Sequence, residues 1–266
     1  MSRLSKTVSA SDKMHFIPFI TAGDPNIETT IDLALMLQDM GASVLELGIP
    51  FSDPLADGPV IQRASLRALA GGMTLSKAMD IVPKMREKGL KIPVIIFTYY
   101  NLLLQLGENN FIKKAIENEI DGLLVPDLPY EESAALRSQC REHHLALISL
   151  VAPTTSQERL ERIGKDSDGF LYCVSSLGVT GVRKTFHPHV LSFLQRVQKA
   201  SEIPVAVGFG ISSKEQVQQL KDYCEGYVVG SAIVREIESR EDRLQSAERD
   251  QAIEEIRETL SQKLLF

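Results

Sequence analysis

Long apolar runs are absent from this chain of 266 residues. The amino-terminal segment MSRLSKTVSASDK lacks the apolar stretch of a signal peptide, and no run of about eighteen apolar residues, the length of a membrane span, follows it. We therefore expect a soluble, cytoplasmic protein.

Cysteine and positive charge are also in short supply. The three cysteines, Cys140, Cys173 and Cys224, lie far apart and form no C-x-x-C pair. Their odd number and their spacing predict reduced thiols in the protein core. The net charge of −6 and the lack of a long basic run argue against nucleic acid or a membrane surface as a partner.

What the chain does contain is a regular alternation of two kinds of segment. Segments with helical apolar spacing, such as residues 27–41, 131–144 and 212–224, separate short β-rich apolar runs. The eight runs cover residues 15–21, 43–48, 93–98, 122–125, 145–151, 169–174, 204–208 and 226–230. Strands that are apolar on both faces and alternate with helices predict an α/β fold, namely a closed (β/α)8 TIM barrel.

An open doubly wound sheet is the alternative fold, and it is disfavoured because no G-x-G-x-x-G follows the first strand. The chain has no linker or low-complexity stretch, so we expect residues 1–266 to form a single domain. The charged tail from about Glu236 to Phe266 predicts one or two extra outer helices. Three local signals concern other helices. Asp24 is expected to cap a helix with Pro25 in its first turn, and Ser212 or Ser213 is expected to cap the helix that follows it. Pro83 is expected to kink or split the helix that contains it.

The residue types at the predicted strand ends restrict the chemistry. No lysine lies within a predicted strand, and Lys91 precedes the third strand, so a Schiff base is not expected. No histidine shares a strand end with clustered acids, so a metal site is not expected either. The histidines are His15, His143, His144, His187 and His189.

Glu46 is the unusual residue of the second strand, VLELG. Its apolar neighbours Leu45 and Leu47 predict that alternation turns its carboxyl group into the barrel, near the rim where the active sites of such barrels lie. Burial raises a carboxyl pKa towards the range useful for proton transfer. The alternative is a core charge satisfied by a cation, which is a costly arrangement without a function.

A second carboxylate follows in the loop FSDPLADGP, which three prolines stiffen. Asp57 and Asp53 are both candidates for it, and either could instead be a turn residue that accepts local hydrogen bonds. Composition does not choose between them.

Glycine-rich turns follow the last three strands, in SSLGVTG, GFG and VGSA. Backbone amides in such turns, with the amino end of a short helix starting near Ser231, predict an anion site for a phosphorylated small substrate. The candidates are Gly181, Gly210, Gly230 and Ser231. Acid–base chemistry by carboxylates on a phosphate ester is the resulting functional hypothesis.

Several motifs together carry a family resemblance. ELGIPFSDPLADGP, FIPFITAGDP, TYYNLLL, VPDLPYEES, LGVTG and VGFGIS closely resemble those of the tryptophan synthase alpha subunits, from about Phe16 to Ile237. The resemblance implies a TIM barrel that cleaves indole-3-glycerol phosphate to indole and glyceraldehyde 3-phosphate without metal or cofactor. It also implies that Glu46 and Asp57, rather than Asp53, are the catalytic acids.

The same resemblance assigns further residues to the substrate site. Phe19, Tyr99 and Tyr172 match positions around the substrate, although Phe19 is equally consistent with an ordinary core aromatic. Thr180 and Gly181 lie in a predicted lid over residues 175–187, which alternatively is a solvated loop.

A partner is implied as well, the pyridoxal phosphate-dependent beta subunit of an alpha2-beta2 heterotetramer. Pro50, Phe51, Asp53 and Asn101 fall in the loops that the family uses for this contact, and an exposed apolar Phe51 is consistent with it. Two other functions stay open at this point: a stand-alone indole-releasing lyase, and a non-catalytic barrel that only activates a partner.

Overall fold

The computed structural model describes residues 2–9, 13–174, 188–208 and 210–264. Within these residues, parallel strands pair in chain order, and the last strand pairs with the first to close the barrel. The strands are β1 (His15–Thr21), β2 (Leu45–Gly48), β3 (Val94–Phe97), β4 (Gly122–Leu124), β5 (Ala146–Val151), β6 (Leu171–Val174), β7 (Val205–Gly208) and β8 (Gly226–Val229). The predicted closed (β/α)8 barrel is confirmed.

Helices surround the barrel on the outside. They are α1 (Arg3–Ser9), α2 (Ile27–Asp39), α3 (Pro59–Ala70), α4 (Leu75–Met79), α5 (Ile81–Glu87), α6 (Tyr100–Leu106), α7 (Glu108–Glu117), α8 (Ala134–Glu142), α9 (Gln157–Asp166), α10 (Pro188–Ala200), α11 (Lys214–Leu220), α12 (Ser231–Glu238), α13 (Glu241–Leu244) and α14 (Arg249–Leu264), with a 3-10 turn at Tyr130–Glu132. The charged tail forms the last two helices. None of the helices in the described ranges is long and apolar enough to cross a bilayer.

The alternation of side chains along each strand divides the core into two layers. One layer fills the barrel with side chains such as Ile17, Ile95 and Ile148. The fully buried Leu4 of α1 packs against this layer. The other layer lies between the strands and the helices and includes Leu45 and Leu47 of β2. The barrel interior is thus a packed core, which leaves room for chemistry only at its rim.

The helix signals in the sequence were correct in two places and wrong in one. Ser213 caps α11 in a capping box, and the helix that contains Pro83 is split into α4 and α5 at Asp80. The expected start at Asp24 is wrong, because Asn26 is the N-cap of α2 and accepts a hydrogen bond of 2.8 Å from the Thr29 amide.

Asp24 serves a different purpose from a helix cap. Its carboxylate is buried and accepts hydrogen bonds of 2.7 and 2.9 Å from the guanidinium group of Arg67 on α3. Glu238 on α12 accepts a further bond of 2.9 Å from Arg67. The loop after β1 is therefore tied to the two helices that begin at the candidate site.

Candidate active site

Glu46 lies inside the barrel, where β2 pairs it with Phe19 of β1 and Ile95 of β3. The side chain is only 1% exposed, and no residue in the described part of the chain hydrogen-bonds to its Oε1 atom. Burial raises the pKa of Glu46 to about 8. This carboxyl group is therefore largely protonated at neutral pH, with one oxygen available to a ligand.

Asp57 lies in the loop between β2 and α3 and is half-buried. Burial raises the pKa of its carboxyl group to about 6, while a hydrogen bond of 3.0 Å donated by the Tyr99 hydroxyl opposes that rise. The hydroxyl oxygen accepts a bond of 3.0 Å from the Ala56 amide in turn. Asp57 is therefore mostly ionised at neutral pH, so the two acids differ in protonation state.

One cavity at the rim of the barrel contains both acids. Its walls near Glu46 are apolar and aromatic, and its opposite end is formed by the turns that follow β7 and β8. The side chains that line the apolar part include Phe19, Ile61, Phe97, Tyr172 and Val228. The cavity thus combines a flat apolar space with a polar end.

The aromatic side chains Phe19 and Tyr172 have space in the cavity wall because they pack against glycines. A Cβ atom on Gly48 would lie 2.3 Å from Phe19 Cζ, and one on Gly208 would lie 1.9 Å from the Tyr172 hydroxyl. Phe19 also packs edge-on against Phe97, with ring centroids 5.5 Å apart. Burial, followed by the charges of the two acids, raises the pKa of Tyr172, so its phenol stays protonated.

The polar end of the cavity is built from Gly210, Ser212, Gly230 and Ser231. Gly210 has φ of +83°, a backbone conformation that favours glycine. Gly230 is the N-cap of α12 and supplies no side-chain cap, so the first amides of that helix lie beside the cavity without such a partner. Amides at a helix amino terminus and the helix dipole both favour an anion here.

Three predicted substrate residues are not among the described lining of the cavity. Tyr99 is buried behind Asp57 and contacts it from outside the cavity. Thr180 and Gly181, with the rest of the predicted lid, fall outside the described residues.

Several residues that line the cavity were not predicted as site residues from the sequence, among them Ile61, Phe97 and Arg235. Phe97 could have been found, because it lies two positions after Ile95 on β3 and therefore faces inward. Ile61 and Arg235 lie on helices, where the side that faces a cavity depends on helix packing.

The match to a sequence profile of the tryptophan synthase alpha chain covers residues 5–263. The tryptophan synthase alpha chain of Shouchella clausii (strain KSM-K16) is 62% identical over 250 residues, which are 94% of this chain and 93% of that protein. This chain belongs to the tryptophan synthase alpha chain family. The family protein of Halalkalibacterium halodurans is 58% identical over 249 residues, again 94% of this chain and 93% of the relative.

Solved structures of the family have the same fold. The alpha subunit from Legionella pneumophila str. Paris superposes with a TM-score of 0.84 at 34% identity, over 98% of this chain and 99% of that one. A chain from the tryptophan synthase a2b2 complex of Pyrococcus furiosus superposes with a TM-score of 0.82 at 36% identity, over 94% of this chain and 98% of that one.

The loops expected to contact a beta subunit differ in part from the prediction. Asp53 and Asn101 are exposed, but Pro50 is buried. Phe51 is half-buried, because its ring packs against that of Tyr99 with centroids 5.1 Å apart, so the expectation of an exposed Phe51 is wrong. The most exposed apolar side chain of that loop is Leu55, at 94%.

A second exposed leucine lies on α6, close to Asn101. Leu104 is 56% exposed, and neither this residue nor Leu55 was predicted from the sequence as part of the interface. In the described part of the chain, no group of three or more histidine, cysteine or acidic side chains could hold a metal ion.

Proposed function

We propose that this chain cleaves indole-3-glycerol phosphate to indole and glyceraldehyde 3-phosphate by a retro-aldol reaction. The observation that carries the proposal is the pairing of Glu46 and Asp57 in one cavity, one carboxyl group with a pKa of about 8 and the other with a pKa of about 6. The family to which the chain belongs agrees with this reaction.

Glu46 is the proton donor and acceptor in this proposal. Its protonated carboxyl group gives a proton to ring carbon C3 of the indole, which becomes a cationic indolenine. The carboxylate that remains removes the proton from the hydroxyl group on the adjacent glycerol carbon as the carbon–carbon bond breaks. The hydroxyl becomes the aldehyde, the bonding electrons return to the ring, and Glu46 regains its initial protonation state.

Asp57 stabilises the charge that this sequence creates. As a carboxylate it accepts a hydrogen bond from the indole N–H, which becomes more acidic when C3 is protonated. Because Asp57 is half-buried in a cavity with apolar walls, the attraction between this carboxylate and the cationic ring is stronger than it would be in water. The Tyr99 hydroxyl and the Ala56 amide hold Asp57 and its loop in place for this role.

The other parts of the cavity bind the two ends of the substrate. Phe19 and Tyr172 offer apolar faces to the indole ring, while Gly210, Gly230 and Ser231 lie where backbone amides can bind the phosphate. Only protons move between the protein and the substrate, so the proposed reaction needs no metal ion or cofactor. Thr180 and Gly181 remain candidates for the lid.

The proposed partner is a tryptophan synthase beta subunit, which holds pyridoxal phosphate and uses the indole, in an alpha2-beta2 heterotetramer. The chain from Pyrococcus furiosus with the same fold belongs to such a complex. Asp53 and the exposed Leu55 on the loop after β2, with Asn101 and the exposed Leu104 on α6, provide polar and apolar surface for this contact. Pro50 is buried and Phe51 is half-buried in the same loop as Asp53.

An indole-release assay with purified chain, with and without beta subunit, tests the proposed function. We expect indole from indole-3-glycerol phosphate in both cases and a faster release with the partner. Asp57→Asn should abolish most of the release, whereas Asp250→Asn, on the outer surface of α14, serves as the matched control. No indole release with beta subunit present would rule out the reaction.

A further inference from the structure

Arg235 is the one cation among the described residues that line the cavity. It lies on α12, four residues after Ser231, and therefore on the same face of the helix and one turn further along. Helical side chains lean towards the amino terminus of their helix, so Arg235 covers the turn that begins with Ser231. Arg235 lines the same cavity as Gly230 and Ser231, so its side chain lies at the polar end of the cavity.

The acids near Arg235 are already paired with other cations. Glu236 and Glu238 share α12 with Arg235, and each is bound by two basic side chains at 2.6 to 2.9 Å. These partners are Arg240 and Lys263 for Glu236, and Arg63 and Arg67 for Glu238. No acid in the described ranges lies within ion-pair distance of Arg235 itself, so its exposed positive charge is available to a ligand.

The negative charges in and around the cavity would repel a phosphate group unless a cation compensated them. Asp57 is negative at neutral pH, the whole chain carries a net charge of −6, and a phosphate ester adds up to two negative charges. Backbone amides offer partial charges only, whereas a guanidinium group offers a full charge and several donors that match phosphate oxygens.

We propose that Arg235 is a substrate-positioning residue that binds the phosphate group of the substrate at the amino end of α12. The inference rests on the proposed function and extends it. The glycine turns offer only backbone amides to the phosphate, and Arg235 adds a full positive charge. Arg235 favours phosphate esters over uncharged indole compounds and does not take part in the proton transfers.

Calorimetric titration of the complete chain tests this assignment without turnover. Two probes are used, glycerol 3-phosphate, which carries the phosphate, and indole-3-propanol, which does not. Arg235→Gln should raise the Kd for glycerol 3-phosphate about tenfold, as for the loss of one charge-assisted hydrogen bond. The Kd for indole-3-propanol should stay the same, and the salt dependence of glycerol 3-phosphate binding should weaken.

Two further variants make the test specific. Arg235→Lys keeps the charge and should recover part of the affinity for glycerol 3-phosphate. Arg162→Gln makes the same change of charge on α9, outside the cavity lining, and should bind both probes like the unchanged chain. In steady-state cleavage, Arg235→Gln should raise KM far more than it lowers kcat.

The inference fails if Arg235→Gln binds glycerol 3-phosphate as tightly as the unchanged chain does, or loses affinity for both probes equally. The same holds if Arg162→Gln has an equal effect, since net charge would then explain the change. These outcomes are separate from failure of the proposed function, in which the unchanged chain releases no indole whatever its affinity for glycerol 3-phosphate.

Discussion

The Tyr99 hydroxyl donates a hydrogen bond of 3.0 Å to Oδ2 of Asp57, across 42 residues of sequence. Tyr99 is the N-cap of α6 at the end of the short loop after β3, and Asp57 directly precedes Gly58, the N-cap of α3, so the bond joins neighbouring loops at the rim of the barrel. A bond to the ionised form keeps the pKa of Asp57 below the value that burial alone would give. The tyrosine therefore acts on the charge state of the site.

Tyr99→Phe should move the acidic limb of the pH–rate profile to higher pH. Without the hydroxyl donor, the pKa of Asp57 rises, by roughly one unit for a hydrogen bond to a charged group. As the pH falls, activity that needs the Asp57 carboxylate is then lost at a higher pH than in the unchanged chain. The profile of kcat/KM between pH 5 and 9 measures this shift. Tyr100→Phe, whose hydroxyl instead bonds Glu108, is the matched control and should leave the limb in place.

Glu46→Gln should reduce indole release by about 10² to 10⁴-fold or more, because one positioned acid–base group is lost. The amide is close in shape to the protonated carboxyl group, so the affinity for glycerol 3-phosphate should change little. Single-turnover assays and titrations on the same sample separate the two effects. Near-normal cleavage by this variant would remove Glu46 from the mechanism.

The stability of the chain should depend on pH through Glu46. Its pKa is about 8 in the folded protein, against an ordinary value near 4.5, so the folded state holds the proton between these two pH values. The free energy of unfolding therefore falls as the pH rises from about 4.5 to about 8, by up to about 1.4 kcal/mol per pH unit.

Urea unfolding of the wild-type chain and of Glu46→Gln across pH 5 to 9 measures this dependence. Other groups titrate in both proteins, so the difference between the two curves isolates Glu46. The variant should gain stability relative to the wild type as the pH rises. Parallel curves would show that Glu46 is not desolvated in solution.

Gly48→Ala should displace the Phe19 ring and lower the affinity for indole compounds. The added methyl group would lie 2.3 Å from Phe19 Cζ, and overpacking of this kind costs about 1–3 kcal/mol. Combining it with Phe19→Leu, which shortens the opposing side chain, should recover part of the lost stability. A double-mutant cycle by thermal unfolding measures this coupling, and additive effects would contradict the contact.

Leu55→Ser should weaken the complex with the beta subunit. The side chain is 94% exposed and projects from the loop proposed for this contact, so burial of its surface would favour association. The beta-subunit concentration that gives half-maximal stimulation should rise. Leu66→Ser, on the 60% exposed leucine of α3, is the control and should not change that concentration.

Much of the fold could be predicted because buried parallel strands are apolar on both faces. Each predicted run contains an observed strand, and the boundaries differ by no more than two residues at either end. The alternation of side chains along β2 was also sufficient to predict that Glu46, between Leu45 and Leu47, points into the barrel. The N-cap of α2 could not be predicted from Asp24, because Arg67 binds that carboxylate from a distant helix.

The sequence by itself determined the order of strands and helices, the inward direction of Glu46 and the family of the chain, since these follow from local periodicity and motifs. The tertiary structure alone decided that Glu46 is protonated, that Tyr99 holds Asp57 and that Arg235 borders the cavity. The physical reason is that desolvation, hydrogen bonds between loops and the packing of α12 depend on residues far apart in the chain. Such contacts exist only after the barrel has closed.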